Sequence, residues 1–356
     1  MTGWPTPKVR ARRSVDDRIN LSSNELTHPA VAALVEELVA GFDPASLTRY
    51  PIQDQPAAAV AEMLGRTPEE LLLTPGSDAA IRLIMLACRG VTDGLLITQD
   101  PNYEAWTATA DLVGGWRVRC VRRSGENGSG WLPAMVAAAR DASPAVVSVS
   151  CPNGPDGHAP TLAQLRSLLA VCRERGHLLV LDACYSGFSG QFAELTQLAG
   201  PHCVVLLSWS KLFGLAGGRF GVAVAEPALV GFLRAFRQED HVNVLMLHAA
   251  RMTQKLQPEF EAVWSDIAAS REQLRLWLAE HGIHSPESGG NFLHIPVDRA
   301  DRAVWLTEEL SRRGVRVRNM AAVPGLRDHV RFTVTCGPTR DRFVETVEPL
   351  LDGLRR

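Results

Sequence analysis

The stretch VVLLSWSKLFGLAGGRFG, residues 204–221, decides the fold class and directs the search for a functional site. It begins as a short apolar strand that ends at Ser208 and continues into a predicted loop that holds Lys211. A lysine at the carboxyl end of a strand can point its amine into a cleft and form an imine with an aldehyde. Arg219, after a run of small residues, could bind an anion there together with Ser208. Taken alone, the stretch is equally compatible with a surface lysine and a structural arginine.

The scarcity of lysine in this chain supports a functional role for Lys211. The chain has 37 basic residues, and only Lys8, Lys211 and Lys255 among them are lysines. A genome-wide preference for arginine explains this scarcity, but it does not explain why a lysine is kept in the setting SWSK.

Working outward, short apolar strands alternate with helical patterns through the first two thirds of the chain. The strand candidates are LLLT (71–74), LLIT (95–98), VVSVS (146–150), LLVLD (178–182) and VVLLSWS (204–210). Near-continuous apolar strands separated by helices predict a mostly parallel sheet that is covered on both faces. In such sheets, ligands bind beyond the carboxyl ends of the strands.

The pattern changes from about residue 242. A long helical segment reaches His281, and a compact α+β unit follows Gly289. The predicted fold class is therefore α/β, with a large domain built on the mostly parallel sheet and a smaller α+β C-terminal domain. We expect an N-terminal arm at 1–30, a large domain at 31–255 that includes the start of the linking helix, and a small domain at 256–356.

Composition excludes several functional classes. A length of 356 residues suits about two domains, and a net charge of −2 argues against nucleic acid as a partner. We find no run of ~20 apolar residues for a membrane helix and no signal peptide at the polar start. The seven cysteines are scattered and the histidines lack metal-ligand spacing. We therefore expect a cytoplasmic protein with reduced thiols and no metal.

A second chemical motif is LLVLDACYSGF, residues 178–188. Asp182 ends an apolar strand and Tyr185 lies three residues later. A buried carboxylate that faces a pyridinium nitrogen keeps it protonated and makes the ring an electron sink, and a phenol can bind the 3-oxygen of the same ring. For a lone D-x-x-Y, a turn-capping aspartate and a core tyrosine would be the better interpretation.

A third motif, LLLTPGSDAAIRL, places Gly76, Ser77 and Asp78 between a strand and a helix. This arrangement offers free backbone N–H groups to a phosphate. An ordinary N-capped helix is the alternative, since serine and aspartate are favoured caps.

Three further residues follow or begin predicted strands. Tyr103 in DPNYEAW could stack on a cofactor ring, and Asn153 in SCPNGPDG could hydrogen-bond a ligand. Arg331 in VRFTV could clamp a substrate carboxylate. Core packing, turn formation and an exposed strand edge are the respective alternatives.

In this order, the segments resemble the class I/II aminotransferases of pyridoxal-phosphate (PLP) fold type I, most closely the histidinol-phosphate aminotransferase branch. The resemblance covers nearly the whole chain. The matching segments are LSSNE (21–25), RYP (49–51), LTPGSD (73–78), DPNY (100–103), PNGPDG (152–157), DACYSGF (182–188), SWSKLFGLAGGRFG (208–221) and VRFTV (330–334).

The resemblance implies a role for each candidate residue. Lys211 would hold PLP as a Schiff base and shuttle the substrate Cα proton, with Asp182 on the pyridine nitrogen and Tyr185 on the 3-oxygen. Arg331 and Asn24 would bind the substrate. The other implied cofactor contacts are the stacking Tyr103, Asn153, and the phosphate-binding set Gly76, Ser77, Asp78, Ser208, Ser210 and Arg219. Tyr50 would reach the phosphate of the partner subunit, which implies a homodimer with shared active sites.

The chain departs from the family pattern in three places. The family's P-N-N-P-T-G is here PNGPDG, so the second asparagine, which contacts the 3-oxygen, is replaced by Gly154. Either Asn153 substitutes for it or Tyr185 holds that oxygen alone. The segment LSSNELTHPA is shorter than the usual N-E-N-P-x-G-P stretch, and D-E-A-Y is D-A-C-Y.

The leading hypothesis is an aminotransferase that moves an amino group between an amino acid or amine and a keto acid or aldehyde in a ping-pong reaction. A lyase, decarboxylase or oxidative deaminase on the same fold is the alternative, motivated by Gly154 and the short N-terminal stretch. A PLP-sensing regulator is a third reading. It would need a DNA-binding module, and we find no spare segment or basic helix for one.

Overall fold

A computed structural model describes residues 17–122 and 130–354 of the chain. Its centre is a seven-stranded sheet in the order β2-β8-β7-β6-β5-β3-β4. The strands are β2 (Leu71–Thr74), β3 (Leu95–Asp100), β4 (Arg117–Arg122), β5 (Val146–Ser150), β6 (Leu178–Asp182), β7 (Cys203–Ser208) and β8 (Gly221–Val224).

Six of these strands run in one direction, and β8 alone is antiparallel to its neighbours. Residues 209–220 join β7 to β8 through one helical turn, Trp209–Leu212. A parallel crossover usually contains a helix that spans the sheet, and this connection has only one helical turn, which suits the antiparallel direction of β8. The mostly parallel α/β sheet is confirmed.

Both faces of the sheet are buried because alternate residues of each strand enter different cores. In β6, Leu179 and Leu181 join the larger core while Val180 joins the smaller one. This is the period of two that a pleated strand imposes. Helices supply the opposite wall of each core, which explains why the strands read as continuous apolar runs.

The helices that pack on the larger core include α1 (Val31–Val39), α2 (Asp54–Leu64), α5 (Trp131–Arg140), α6 (Leu162–Arg175), α10 (Val244–Thr253) and α11 (Gln257–Glu280). Those on the smaller core are α3 (Ser77–Cys88), α4 (Ala105–Val113) and α9 (Pro227–Arg234). Two short helices, α7 (Phe192–Thr196) and α8 (Trp209–Leu212), follow β6 and β7.

The C-terminal part contains a three-stranded antiparallel sheet in the order β11-β12-β9. Its elements are β9 (Phe292–Pro296), α12 (Ala300–Arg312), β10 (Val315–Arg316), β11 (Arg318–Asn319), β12 (His329–Thr333) and α13 (Gly337–Leu354). Near the N-terminus, β1 (Ile19–Asn20) pairs in parallel with β10. The predicted domain boundaries stay predictions, and the first 16 residues of the predicted arm lie outside the described residues.

Four predicted strands are found, three of them with the expected bounds, and the fifth needs a correction. The apolar run at 204–210 leaves the sheet at Ser208, so Lys211 lies in the helical turn α8 rather than in a loop. The long helical segment is two helices, α10 and α11, because the chain turns at residues 254–256. Strands β4 and β8 were not predicted.

Within the described ranges, no helix is both long and apolar enough to cross a membrane. The same ranges hold no group of histidine, cysteine and acidic side chains that could bind a metal ion. All seven cysteines are unpaired.

Candidate functional site

Most of the predicted site residues lie at the carboxyl edge of the large sheet. Strands β2, β6 and β7 run in the same direction and end there at Thr74, Asp182 and Ser208. The loops and helix starts that follow these ends carry most of the candidate residues, as expected for an open α/β sheet.

Lys211 lies in α8, directly beyond the end of β7. Its side chain is half-buried, and Nζ donates to the backbone carbonyl of Ser23 at 2.7 Å. Ser23 belongs to the N-terminal arm, so the amine faces the space between the sheet edge and the arm. The other described lysine, Lys255, is exposed. Lys8 lies outside the described residues.

An anion cradle forms at the start of α3. The first N–H groups of a helix have no intrahelical partner and favour negative charge. The guanidinium of Arg219 joins them: it donates to Ser210 Oγ at 3.1 Å, and its Nη2 lies 3.6 Å from Asp78 Oδ2. Gly76, the N-cap, has φ +85°, and a Cβ there would lie 2.7 Å from Arg219 Nη2. Only glycine fits this position without strain.

Strand β8 holds the two sides of the cradle together. Its first residue, Gly221, pairs in register with Thr74 of β2 and Ser208 of β7. A Cβ on Gly221 would lie 2.9 Å from the backbone nitrogen of Ser77 and 2.9 Å from the carbonyl oxygen of Leu207. The start of α3 and the end of β7 are therefore in close backbone contact across this residue.

Asp182 is only 5% exposed, between β5 and β7. Burial raises the pKa of its carboxyl group from 3.8 to about 6, although hydrogen bonds from Cys184 oppose this shift. The backbone N–H of Cys184 donates to Oδ1 at 3.3 Å. A cationic partner would stabilise the charged carboxylate here, because a buried charge is costly until it is paired.

Tyr185 lies close to Asp182 and faces the C-terminal sheet. Its ring makes an edge-to-face contact with Phe292, with ring centroids 5.5 Å apart. Its hydroxyl oxygen accepts a hydrogen bond from Asn24 Nδ2 at 3.0 Å. Burial raises the pKa of the phenol to about 12, against the opposing effect of the charge on Arg331. The phenol therefore keeps its proton throughout the neutral range and can donate a hydrogen bond.

Tyr103 is tied to the cradle, since its hydroxyl donates to Asp78 Oδ1 at 2.9 Å. The preceding residue, Asn102, was not predicted as a site residue. Its Oδ1 accepts from Ser150 Oγ at 2.6 Å and from the Tyr103 backbone N–H at 2.7 Å, and its Nδ2 donates to Thr98 Oγ1 at 2.8 Å. An asparagine directly after a strand end in D-P-N-Y was the available signal for this support.

Arg331 lies over the ring of Phe292, with its guanidinium carbon 5.2 Å from the ring centroid. Its Nη2 donates to the Ser22 carbonyl at 3.3 Å. Together with the bond from Lys211 to Ser23, this contact makes the arm backbone a common acceptor for two candidate site residues. The sequence pattern did not indicate this, because backbone carbonyls carry no residue identity.

His294 is a second buried residue that sequence reasoning missed. It pairs with Arg331 across β9 and β12, and its Nε2 contacts the Pro155 carbonyl at 2.9 Å. Burial and the charge on Arg331 lower the pKa of His294 to about 3, so its ring is neutral. It ties the C-terminal sheet to the PNGPDG loop.

Two predicted residues do not join the cluster. Asn153 is fully buried, and its Nδ2 donates to the Pro101 carbonyl and to Asp156 Oδ1, both at 2.9 Å. These bonds shape its own loop. Tyr50 is 86% exposed, on the segment between the turn Pro44–Thr48 and α2.

Backbone strain marks the same region. Within the described ranges, Asn24, Arg219 and Asp240 are the non-glycine residues with positive φ, at +52°, +60° and +51°. Such conformations cost energy and concentrate at functional sites. The first two of these residues contact the phenol of Tyr185 and the cradle.

The residues at this edge fit PLP. The cradle suits a phosphate, because it combines a helix N-terminus, a guanidinium and a glycine whose Cβ would collide with that guanidinium. The buried Asp182 suits a protonated pyridine nitrogen, Tyr185 suits an oxygen acceptor, and Lys211 suits an aldehyde.

Comparisons with known proteins agree with this geometry. A model of the family described as aminotransferase class I and II matches residues 16–350. A histidinol-phosphate aminotransferase from Xanthomonas campestris pv. campestris (strain 8004) is 32% identical over 316 residues, which cover 85% of each chain.

Two solved structures share the fold. Histidinol-phosphate aminotransferase from Sinorhizobium meliloti, in complex with pyridoxal-5'-phosphate, superposes with a TM-score of 0.80 at 20% identity, over 95% of this chain and 91% of that one. L-threonine-O-3-phosphate decarboxylase from Porphyromonas gingivalis gives 0.75 at 20% identity, over 94% and 99%.

Proposed function

Because the chain belongs to the aminotransferase class I and II family and is a PLP-dependent aminotransferase, we propose which residues perform the reaction and what kind of substrate they accept. The observation that carries the proposal is the meeting of Lys211, Asp182, Tyr185 and the Gly76–Arg219 cradle at one edge of the sheet. Bound PLP supplies an electron sink for negative charge that develops at the substrate Cα.

The cradle binds the phosphate. The N–H groups of Ser77 and Asp78 and the guanidinium of Arg219 supply donors and positive charge, with Ser208 and Ser210 on the other side. Asp78 contacts both Arg219 and the hydroxyl of Tyr103, and so holds both side chains at the cradle. Tyr103 then covers one face of the ring, as the resemblance implies.

Lys211 is the covalent attachment point and the proton carrier. Its amine holds the cofactor between turnovers and moves a proton at the substrate Cα once it is released. Asp182 keeps the proton on the pyridine nitrogen, because a buried carboxylate gains most from a cationic partner. Tyr185 would donate a hydrogen bond to the 3-oxygen.

Arg331 selects the substrate. Its planar guanidinium suits a carboxylate or an equivalent anion, so the substrates we propose are amino acids, or amines that carry another anionic group, with the corresponding keto acids or aldehydes. The name of the Xanthomonas relative adds histidinol phosphate to the compounds worth testing. A screen of amines with and without an anion, scored by carbonyl product, tests this selection.

The role of Lys211 has a direct test. Reduction of the purified yellow protein with borohydride, followed by peptide mapping, should place the cofactor on Lys211. The variant Lys211→Ala should lack the attachment and lose catalysis by a factor of at least about a thousand, because the proposed carrier of the Cα proton is removed.

Lys255→Ala is the matched control, since Lys255 is exposed, and it should keep both the label and the rate. A label on Lys8 or Lys255 in the wild-type protein would refute the assignment.

A decarboxylase is the second candidate. Gly154 replaces an asparagine of the family pattern, and a solved structure of the same fold is a decarboxylase. With an amino acid and no keto acceptor, an aminotransferase releases one equivalent of keto acid per site and no CO₂. Catalytic CO₂ release would identify the alternative.

The assembly we propose is a homodimer in the cytoplasm. The exposed Tyr50, flanked by Leu47 and Ile52 at 62% and 76% exposure, supports a partner surface. Seven unpaired cysteines support a reducing compartment. The three segments that we expect, with boundaries after residues 30 and 255, remain part of this proposal.

A further inference from the structure

The side chain of Asn24 is the feature of the site that the roles above leave unexplained. The resemblance suggests a substrate contact, yet its amide is hydrogen-bonded to Tyr185. We infer that Asn24 is a positioning residue: it binds the Tyr185 oxygen so that the phenolic proton points to the 3-oxygen of the cofactor. Through Tyr185 it supports the 3-oxygen, which the asparagine that Gly154 replaces contacts directly in the family pattern. The inference rests on the role proposed above for Tyr185.

Position 154 cannot make that contact in this chain. A Cβ on Gly154 would lie 3.2 Å from Tyr185 Cε2 and 3.6 Å from its hydroxyl oxygen. The first distance is tighter than ordinary van der Waals contact, so a side chain at position 154 would require the ring of Tyr185 to shift by a few tenths of an ångström. The position of the Tyr185 ring therefore matches a glycine at this site.

Asn24 is held firmly enough to act as a support. It is 1% exposed, its backbone N–H donates to Thr333 Oγ1 at 3.0 Å, and its carbonyl accepts from Asn291 Nδ2 at 3.2 Å. Its φ of +52° is a conformation that asparagine tolerates better than most residues. Both anchors come from the C-terminal part of the chain, so that part holds the backbone from which the amide extends.

The direction of the hydrogen bond explains its purpose. Asn24 Nδ2 donates to the phenol, which makes the Tyr185 oxygen an acceptor and leaves its own proton for another partner. In the edge-to-face contact, Phe292 packs against one side of the ring. The phenol oxygen is thus bonded to Asn24, and its one proton is available to the 3-oxygen.

The first experiment uses the protein without cofactor. The chain has three tyrosines, Tyr50, Tyr103 and Tyr185, so ¹³Cζ labelling gives three NMR signals that single phenylalanine variants can assign. Asn24→Gly removes the amide and keeps a residue that accepts positive φ. It should move the Tyr185 signal and leave the other two unchanged.

Thr27→Ser is the matched control in the same arm, because the Thr27 hydroxyl donates to the Glu25 carbonyl and a serine keeps that group. It should leave all three signals in place. An unchanged Tyr185 signal in a folded Asn24→Gly protein would overturn the inference at its first step.

The second experiment follows the absorbance of the bound cofactor against pH. A hydrogen bond donated to the anionic 3-oxygen stabilises the form of the bound cofactor that has lost a proton. Loosening this bond should therefore raise the midpoint pH of the absorbance change by up to about one pH unit. Asn24→Gly should show this rise. Asn24→Asp should show a larger rise, since a carboxylate only accepts hydrogen bonds and would accept the one that the phenol otherwise donates to the 3-oxygen. The groups that face the phenol are Arg331, Cys184 and Asp182, and all three stay unchanged in these variants.

Tyr185→Phe separates this inference from the proposed function. If the phenylalanine variant does not shift the midpoint, the role of Tyr185 is wrong. If it shifts the midpoint and Asn24→Gly does not, only the role of Asn24 fails. In the Tyr185→Phe background, Asn24→Gly should have no further effect, because a positioning residue acts only through its partner. An additive shift would mean that Asn24 touches the cofactor by itself.

Discussion

At the scale of single residues, the buried charge of Asp182 lowers the stability of the fold and at the same time suits the proposed cofactor contact. Its carboxylate lies at the end of β6 in the interior of the sheet, and burial is the largest influence on its pKa, followed by the opposing hydrogen bonds from Cys184. The negative charge of Asp78 adds to the upward shift. A charge held there without a cationic partner destabilises the folded protein, and the same charge is what a protonated pyridine nitrogen requires.

The variant Asp182→Asn should therefore be more stable and less active than the wild type. The folded pKa, about 6, is above the usual 3.8, so the wild-type fold favours the protonated carboxyl and loses stability as pH rises through that window. Without cofactor and above pH 6, the variant should unfold at a higher urea concentration than the wild type. Its free energy of unfolding should be larger by about 2–3 kcal/mol, with no difference below pH 4. With cofactor bound, its single-turnover rate should fall by about a hundred- to a thousandfold.

Asp93→Asn is the control for the stability measurement, because Asp93 is exposed and should show no such pH-dependent gain. Equal unfolding curves for Asp182→Asn and the wild type at pH 8 would contradict the burial argument. A rate close to the wild type would mean that Asp182 only caps the end of β6.

At the scale of elements, the short antiparallel strand β8 builds the phosphate cradle. It lies between β2 and β7, and its first residue faces the ends of both. Arg219 precedes it by two residues and thus reaches Gly76 on one side and Ser210 on the other. A parallel strand in this place would have its carboxyl end, and not its start, at this edge of the sheet. Arg219 could then not reach the cradle from the residues before the strand.

Gly221→Ala should weaken cofactor binding by about tenfold to a hundredfold. The added methyl group would lie 2.9 Å from backbone atoms on both sides, and relieving such overpacking typically costs about 1–3 kcal/mol. The measurement is the Kd of PLP for the apoenzyme. Gly217→Ala should bind as the wild type does, since a Cβ there meets no heavy atom within 4 Å. Unchanged binding in Gly221→Ala would show that the cradle does not depend on this contact.

At the scale of the whole molecule, the N-terminal arm joins the two parts of the chain around the site. Strand β1 pairs with β10, and Leu21 accepts from Thr333 N–H at 2.8 Å, while Ser23 accepts from Lys211 beside the large sheet. Asn24, the next residue of the arm, contacts Tyr185. The arm therefore links contacts in the C-terminal part with contacts at the phenol and at the lysine.

The proposed dimer makes a prediction that only hybrid subunits can test. Tyr50→Phe and Lys211→Ala should each reduce activity strongly. A dimer with one subunit of each kind should recover about half of the wild-type activity, because its site with an intact Lys211 receives Tyr50 from the partner. If Tyr50 acted within its own subunit, both sites of the hybrid would stay defective. A fully active monomer in sedimentation would refute the dimer itself.

The strands were predictable where burial left a simple pattern. The runs at 71–74, 146–150 and 178–182 are buried or nearly so along their length, and a strand that is buried on both faces must be apolar throughout. Strand β4 escaped notice because it lies at the edge of the sheet and reads RVRCVR, with most of its side chains exposed. Strand β8 begins with a glycine directly after the glycine-rich segment 214–218 and Arg219-Phe220, so its start is not marked in the sequence.

The sequence by itself determined the α/β class, the family and the candidate reactive residues, because a lysine, an aspartate and an arginine near strand ends can be read directly from the sequence. The tertiary structure alone decided how they are supported. Backbone carbonyls of Ser22 and Ser23, the amide of Asn24 on Tyr185 and the insertion of β8 all join segments far apart in the chain. Such contacts depend on where packing brings the backbone, and backbone atoms are the same in every residue.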